Sequence, residues 1–345
     1  MVQLWLHRGR GRAQQVRVTA SGVKQLEAEM SDQLTIALAQ IAPMWFDRTK
    51  TLEKVCDSIS DSAGKGASIV GFGEALVPGY PFWIEYSNVT AFNSDFHKRF
   101  HAEYVNQAVC IERGDLERVC EIAKEKSIAV YLGTIERPAD RGESVYASLV
   151  YIDAEGRIGS VHRKLMPTYD ERMTWSIGDG NGLRTHALGE FTVGGLNCWE
   201  NWMPLARTSL YAQGEDLHFA IWPGSKRNTE DVTRFIALES RSYVASVSGL
   251  MRRTDLPSDV PGADTVIENA PDFLANGGSC IAAPDGNWVI EPQCDEEKLI
   301  VATIDHACVR QERQNFDPTG HYSRPDVLKL SVDRRRQTGA DFLDD

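Results

Sequence analysis

The chain has 345 residues, 42% of them hydrophobic and 25% charged, and its formal net charge at pH 7 is -12. This composition indicates a globular protein of one large or two smaller domains, and the negative charge argues against a surface for nucleic acids or anionic membranes. The seven cysteines are widely spaced without a C-x-x-C pair, which predicts a reduced cytoplasmic protein with neither a disulfide framework nor a zinc site.

The first 29 residues lack the continuous apolar core of a secretory signal, and no apolar run in the chain reaches the length of a membrane span. We interpret residues 1–29 as a poorly ordered extension with little role in the fold. The first core strand is predicted at 34–42, "LTIALAQIA". A helix follows within 48–66, where apolar residues recur at helical spacing until Gly64 and Gly66 end it.

The remaining pattern alternates strands with helices and adds hairpins. The predicted elements are a strand at 67–75, a helix at 115–127, a strand at 128–136, a hairpin at 144–164, a strand at 191–198, a helix at 203–214, a strand at 217–223, a helix at 232–246, and strands at 246–251, 278–291 and 298–305. The pattern predicts one α/β domain at 30–328, followed by a short tail at 329–345. This pattern of strands, helices and hairpins fits two mixed sheets packed face to face with helices outside, which is a four-layer α-β-β-α sandwich.

Three of these strand-like runs end in a reactive side chain. Glu74 follows "SIVGFG", Lys164 follows "RIGSVHR", and Cys198 follows "TVGGLN". Because sites in α/β sheets gather at the carboxyl ends of strands, we expect these three side chains to converge. Taken singly, a cysteine after an apolar run is more often core packing, and a lone Glu or Lys is more often a surface charge.

The segments "RKLMPTYDERMTWSIGDG", "CWENWMPLAR" and "GHYSRPDVL" resemble the nitrilase superfamily of carbon–nitrogen hydrolases, and within it the true nitrilases. The resemblance implies the four-layer fold and a catalytic triad of Glu74, Lys164 and Cys198. It also implies a second glutamate, Glu171, that positions Lys164 and the substrate. A homo-oligomer, at least a dimer and in many relatives a helical filament, is implied as well.

The chemistry explains these residue types. A thiolate attacks a nitrile carbon once a base such as Glu74 removes the thiol proton, and a fixed cation such as Lys164 stabilises the charge that develops on nitrogen. The resulting thioimidate is converted through a thioester to a carboxylic acid and ammonia. Trp199 offers a backbone N–H beside the nucleophile. Four aromatic residues are expected to line the substrate pocket, although packing is the common role of such residues: Trp199, Tyr80, Tyr169 and Trp222.

Other interpretations compete with this one. The same triad occurs in amidases, and a nitrile-hydrating enzyme would release amide; a partner-binding scaffold without activity needs none of the triad. "HKRFH" spaces His97 and His101 like half of a zinc protease motif but lacks its glutamate, and His162 could form a dyad with a cysteine. Because neither G-x-G-x-x-G nor a P-loop occurs, we expect no nucleotide cofactor, and we expect no metal.

Overall fold

A computed structural model describes residues 2–6, 14–18, 32–87, 89–260 and 262–340. The strands in these ranges are β1 (Val2–Leu6), β2 (Gln14–Val18), β3 (Gln33–Gln40), β4 (Ile69–Phe72), β5 (Ala129–Glu136), β6 (Tyr146–Ile152), β7 (Ile158–Arg163), β8 (His186–Leu188), β9 (Phe191–Asn197), β10 (Leu217–Trp222), β11 (Tyr243–Ser248), β12 (Leu250–Arg252), β13 (Phe273–Ala282), β14 (Trp288–Cys294) and β15 (Lys298–Asp305).

The α-helices in the same ranges are α1 (Arg48–Gly64), α2 (Trp83–Tyr86), α3 (Asp95–Gln107), α4 (Glu117–Lys126), α5 (Pro204–Tyr211), α6 (Lys226–Ser240), α7 (Ala263–Asn269) and α8 (His306–Glu312). Helix α1 begins where predicted because the Asp47 side chain accepts a hydrogen bond from the Lys50 N–H at its first turn. Short 3-10 helices occur at strand ends, and two of them, Tyr169–Met173 and Cys198–Trp202, carry residues of the candidate site.

Two mixed sheets form the centre of the molecule. The first has the order β15-β3-β4-β5-β6-β7, with β3, β4 and β5 parallel and the others antiparallel to their neighbours. The second has the order β12-β13-β11-β10-β9-β8, with β14 beside β13 and with β9, β10 and β11 parallel. The parallel strands place the carboxyl ends of β4 and β9 at the edges where sites form.

The two sheets pack face to face. Ile36 and Tyr131 from the first sheet share one buried cluster with Phe219 and Val247 from the second. The approach is close at Gly71, where a Cβ would lie 2.7 Å from the Phe219 ring, so a larger residue there would push the sheets apart. The contact between the sheets brings strand ends from both of them to one site.

Helices cover the outer faces of both sheets. Val55 of α1 and Val119 of α4 pack on the first sheet, and Val232 and Ile236 of α6 pack on the second. Burying each such side chain stabilises the fold by about 1.5–3 kcal/mol. The predicted four-layer α-β-β-α sandwich is therefore confirmed.

The helix predicted at 232–246 is wrong in its second half. Helix α6 ends at Ser240, because Arg241 adopts a left-handed conformation with φ 53°. The chain then enters β11, which runs parallel to β10 and is buried along its whole length. A strand buried on both faces lacks the alternation that distinguishes a strand from a helix.

The two ends of the chain differ from the central domain. Most of residues 1–29, and with them the expectation of poor order, lie outside the described residues; β1 and β2 pair as an antiparallel hairpin. At the other end, Arg336 and the Gln337 backbone N–H both bind the carboxylate of Asp179. The boundaries at 30–328 and 329–345 stay predictions. None of the helices in the described ranges combines the length and apolar character needed to cross a membrane.

Candidate active site

The predicted catalytic side chains meet between the two sheets. Glu74 lies just beyond β4 and Lys164 directly follows β7 in the first sheet, whereas Cys198 directly follows β9 in the second. The ligating atoms of Glu74, Glu171 and Cys198 all lie within 4.8 Å of one another, and all three residues are buried. The strand ends therefore converge, as we expected from the sequence.

Lys164 supplies the positive charge at this cluster. Its Nζ lies 2.8 Å from Glu74 Oε1 and 2.7 Å from Glu171 Oε2, and all three side chains are buried. Burial alone would lower the pKa of Lys164, but Coulombic attraction to the ionised forms of Cys198, Glu74 and Glu171 outweighs it and raises the pKa. The lysine therefore stays an ammonium and is the cation that both carboxylates face.

Glu74 has the properties of a general base. Burial raises its pKa to about 8, against the opposing effect of the Lys164 charge. Oε1 contacts the Lys164 ammonium at 2.8 Å, and Oε2 has no hydrogen-bond partner among the described residues. A carboxylate with a raised pKa and unoccupied lone pairs can accept a proton from a thiol or a water.

This pKa predicts the pH dependence of the reaction. Below about pH 8 Glu74 is protonated and cannot accept a proton, so kcat/KM should rise about tenfold per pH unit and level off above that pH. Steady-state assays across this range measure the profile. Burial also raises the pKa of Glu215, a glutamate outside the cluster, so Glu215→Gln is the control and should retain the rise. A flat profile in the wild type would contradict the assignment.

Cys198 lies at a sharp turn between strand and helix. Its φ is 47°, and it begins the 3-10 helix that follows β9. Asn201 Nδ2 donates to the Cys198 carbonyl at 2.8 Å, which holds the turn. Burial and then the charge of Glu74 raise the pKa of the thiol well above its usual value, opposed by Lys164 and a hydrogen bond from the Trp199 N–H. The resting group is thus a thiol, and it needs a base to become a nucleophile.

Glu171 is held too firmly to serve as that base. Its Oε2 accepts hydrogen bonds from Lys164 Nζ at 2.7 Å and from the Thr168 N–H at 2.5 Å. Its Oε1 accepts the Tyr80 hydroxyl at 2.9 Å. Both oxygens are thus occupied, one of them by the Lys164 ammonium, and the positioning role that the family resemblance implies for Glu171 stays a prediction.

The four aromatic residues predicted for the pocket occupy different environments. Tyr80 joins the cluster through Glu171, whereas Tyr169 is 85% exposed and Trp199 52% exposed. Trp222 is fully buried in one apolar cluster with Cys198, and its carbonyl accepts the backbone N–H of Glu74. Trp222 therefore supports the site by packing with Cys198 and by its backbone hydrogen bond with Glu74. Substrate contact by any of the four stays a prediction.

Trp175 is a site residue that the sequence analysis missed. Lys164 Nζ lies 5.2 Å from the centroid of its ring, within cation–π range, and Tyr80 packs edge-on against it at 5.4 Å. The backbone N–H of Trp175 also donates to the backbone carbonyl of Glu171. The sequence feature that could have predicted this contact is the position of Trp175 about one helical turn after Glu171.

The histidines that competed for a role are engaged elsewhere. His162 Nε2 lies 3.0 Å from Glu200 Oε2, so this nitrogen is committed to a carboxylate. His97 bonds the Met173 carbonyl, and His101 bonds Thr174 Oγ1. Among the described residues, Glu74, Glu171 and Cys198 form the one group of His, Cys, Asp or Glu side chains close enough to hold a metal ion, and the Lys164 ammonium already contacts both carboxylates.

The chain is similar to known proteins over most of its length. The family model described as carbon-nitrogen hydrolase matches residues 35–314. A protein named Nitrilase 2, from an unknown prokaryotic organism, is 35% identical over 90% of this chain and 96% of its own length. An aliphatic nitrilase of Rhodococcus rhodochrous is 32% identical over 92% of this chain and 84% of its own length.

Solved structures share the fold. A carbon-nitrogen hydrolase from Helicobacter pylori G27 superposes with a TM-score of 0.64 over 85% of this chain and 96% of its own length, at 19% identity. At that identity the likeness concerns the fold alone, and the family assignment rests on the sequence matches. The chain belongs to the carbon–nitrogen hydrolase family, on its nitrilase branch.

Proposed function

We propose that the protein is a nitrilase that hydrolyses an organic nitrile to a carboxylic acid and ammonia, with Cys198 as the nucleophile. The observation that carries the proposal is the buried cluster in which a thiol and two carboxylates lie within 4.8 Å of one another around one ammonium. The nitrilase names of relatives that span most of the chain support it.

In the first half of the reaction, Cys198 Sγ forms a bond to the nitrile carbon. The thiol proton passes to Glu74 and then to the nitrile nitrogen, which gives a neutral thioimidate. Lys164 stabilises the negative charge that develops on nitrogen, and the Trp199 N–H is the second donor. Removing a donor of this kind costs about 2.7–4 kcal/mol of transition-state stabilisation.

In the second half, Glu74 takes a proton from water, which attacks the thioimidate carbon. Glu74 passes that proton to the imine nitrogen and then transfers the hydroxyl proton of the tetrahedral adduct to the same nitrogen, which leaves as ammonia, so that a thioester remains on Cys198. A second water, activated in the same way, releases the carboxylic acid and returns the proton to the thiol. Tyr80, Tyr169, Trp199 and Trp222 are proposed to line the substrate pocket.

Product analysis tests the proposal. The purified protein is incubated with aliphatic, aromatic and arylacetonitriles, and ammonia, acid and amide are measured together. We expect equal amounts of ammonia and acid from at least one nitrile. Amide accumulation would indicate a nitrile-hydrating enzyme, and activity on amides alone would indicate an amidase; either result would overturn the assignment.

We also propose that the protein forms a dimer or a larger helical assembly through an apolar surface on α5, α6 and the turn before α5. The exposed apolar side chains of this surface are Trp202, Met203, Leu205, Phe235 and Leu238. The Arg207 guanidinium lies 5.6 Å from the Phe235 ring centroid, which places the two helices side by side. A surface of this kind is stabilised when a second copy covers it.

Light scattering tests the assembly. We expect the active wild type to have at least twice the 38.4 kDa mass of one chain at micromolar concentration. Phe235→Glu places a charge in the apolar surface and should lower the mass. Phe92→Glu changes another exposed phenylalanine and should not. A monomeric mass in an active preparation would contradict the proposal.

We place the protein in the cytoplasm. The seven cysteines are all free thiols, four of them buried. Unpaired thiols persist where the surroundings are reducing. Non-reducing mass spectrometry of protein isolated under alkylation should find no disulfide, and a disulfide in the native protein would count against this compartment.

A further inference from the structure

Glu200 carries a buried carboxylate two residues beyond the proposed nucleophile. One oxygen accepts the backbone N–H of Leu165 at 2.5 Å, and the other accepts the backbone N–H of Asn197 at 2.9 Å. His162 Nε2 lies 3.0 Å from Oε2 and 3.2 Å from Oε1. The carboxylate therefore has three donors around it, all of them protein groups.

Two of these donors are backbone neighbours of the predicted catalytic residues. Leu165 directly follows Lys164, and Asn197 directly precedes Cys198. Lys164 leaves β7 of the first sheet, and Cys198 leaves β9 of the second, so the two residues share no backbone ladder. Glu200 thus ties together the two chain segments whose separation sets the distance between the ammonium and the thiol.

Glu200 is ionised in this position. Burial would raise its pKa, but the His162 charge and the hydrogen bonds from His162, the Leu165 N–H and the Asn197 N–H outweigh it, so the pKa is lowered. Hydrogen bonds to an ionised acceptor are shorter and stronger than neutral ones. The carboxylate is therefore a rigid connection and is not poised to exchange protons during the reaction.

We propose that Glu200, supported by His162, is a positioning residue that fixes Lys164 relative to Cys198. The inference rests on the proposed function, because the ammonium must meet the charge formed by attack of that thiol. Displacing a reacting group by about 1 Å can cost ~10²-fold in rate even when the substrate still binds. The expected signature is a loss in kcat with little change in KM.

Glu200→Gln is the first test. The amide keeps the size of the side chain but replaces one acceptor oxygen with a donor, so one backbone N–H loses its partner. We expect kcat to fall about 10²-fold with KM within about threefold of wild type. Asp216→Asn is the matched control, because Asp216 also pairs with a histidine, His306, and accepts a backbone N–H, that of Thr192. This control should keep its kcat.

A second measurement does not depend on the nitrile reaction. Iodoacetamide alkylates thiolates, and peptide mass spectrometry follows Cys198 separately from the other cysteines. Moving Cys198 away from the Lys164 ammonium should slow its alkylation in Glu200→Gln at least ~10-fold, with no change in Asp216→Asn. If the wild type fails to hydrolyse nitriles, this measurement still decides whether Glu200 positions the thiol.

A pair of variants at His162 covers the case in which Glu200→Gln does not fold. His162→Gln keeps a donor that can reach Glu200, and His162→Leu removes it, while both leave the backbone bonds of Glu200 intact. We expect His162→Leu to lose about tenfold in kcat and in the Cys198 alkylation rate, and His162→Gln to retain most of both. Equal values for the two variants, or a folded Glu200→Gln with wild-type kcat, would overturn the inference.

Discussion

Replacement of Cys198 by alanine is expected to abolish turnover while the fold persists. The nucleophile has no substitute, because among the described residues no second thiol joins Glu74 and Glu171 in the cluster. Loss of a catalytic nucleophile costs at least ~10⁴-fold in kcat in enzymes whose catalytic groups act as a unit. Ammonia release under saturating substrate measures the loss, and intact-mass spectrometry of the wild type during turnover should find an acyl or imidoyl adduct on Cys198.

The stability of this variant should change little. Cys198 is buried in the cluster around Trp222, and trading a small sulfur group for a methyl group costs about 1 kcal/mol. Cys280→Ala is a matched control, because Cys280 is also buried and the same substitution is made there. It should show the same small loss in Tm with full activity. Comparable turnover in the two variants would remove Cys198 as the nucleophile.

Removal of either charged partner of the thiol gives the second large effect. Glu74→Gln keeps the shape but cannot take a proton, and Lys164→Met keeps the stem but loses the charge. Each should lower kcat at least ~10²-fold, the usual contribution of a general base or a transition-state donor. Lys164→Met should also be less stable, by about 3–5 kcal/mol, because it leaves the Glu171 carboxylate buried without its cation.

The double variant shows whether the two groups act together. Independent effects of ~10² each would multiply to ~10⁴, whereas groups that serve one intermediate should lose well under that product. Glu136→Gln is the control for loss of a buried ion pair, since Glu136 binds Arg163 through both carboxylate oxygens. Its activity should stay within a few-fold of wild type. Multiplicative losses at Glu74 and Lys164 would argue for separate sites.

The sequence predicts the layers and the strand ends well, because both depend on local pattern. Glu74, Lys164 and Cys198 each follow a strand-like run, so their placement at strand ends requires only that the local pattern predict a strand. The hairpin at 144–164 also forms as predicted, with its turn at Gly156 in a left-handed conformation of φ 78°. These features need no knowledge of which strands become neighbours.

Features that depend on contact between distant segments could not be predicted. Glu200 binds Leu165, and Tyr80 binds Glu171, only because the fold brings separate loops together. Trp222 resembles a pocket residue by its place at the end of β10, but the packing of α6 buries it completely. The first residues of β11 were assigned to the preceding helix because tertiary burial on both faces removes the periodic signal.

The pairing of β15 with β3 has a consequence for biosynthesis. Strand β3 is the first strand of its sheet to be translated and β15 the last, yet the two pair along eight residues, Gln33 to Gln40 with Lys298 to Asp305. A growing polypeptide therefore exposes an unpaired, largely apolar strand edge until β15 has been translated, and such edges promote aggregation. The sheet that carries Glu74 and Lys164 is complete only when β15 emerges from the ribosome, so nascent chains that lack it should be inactive and should depend on chaperones.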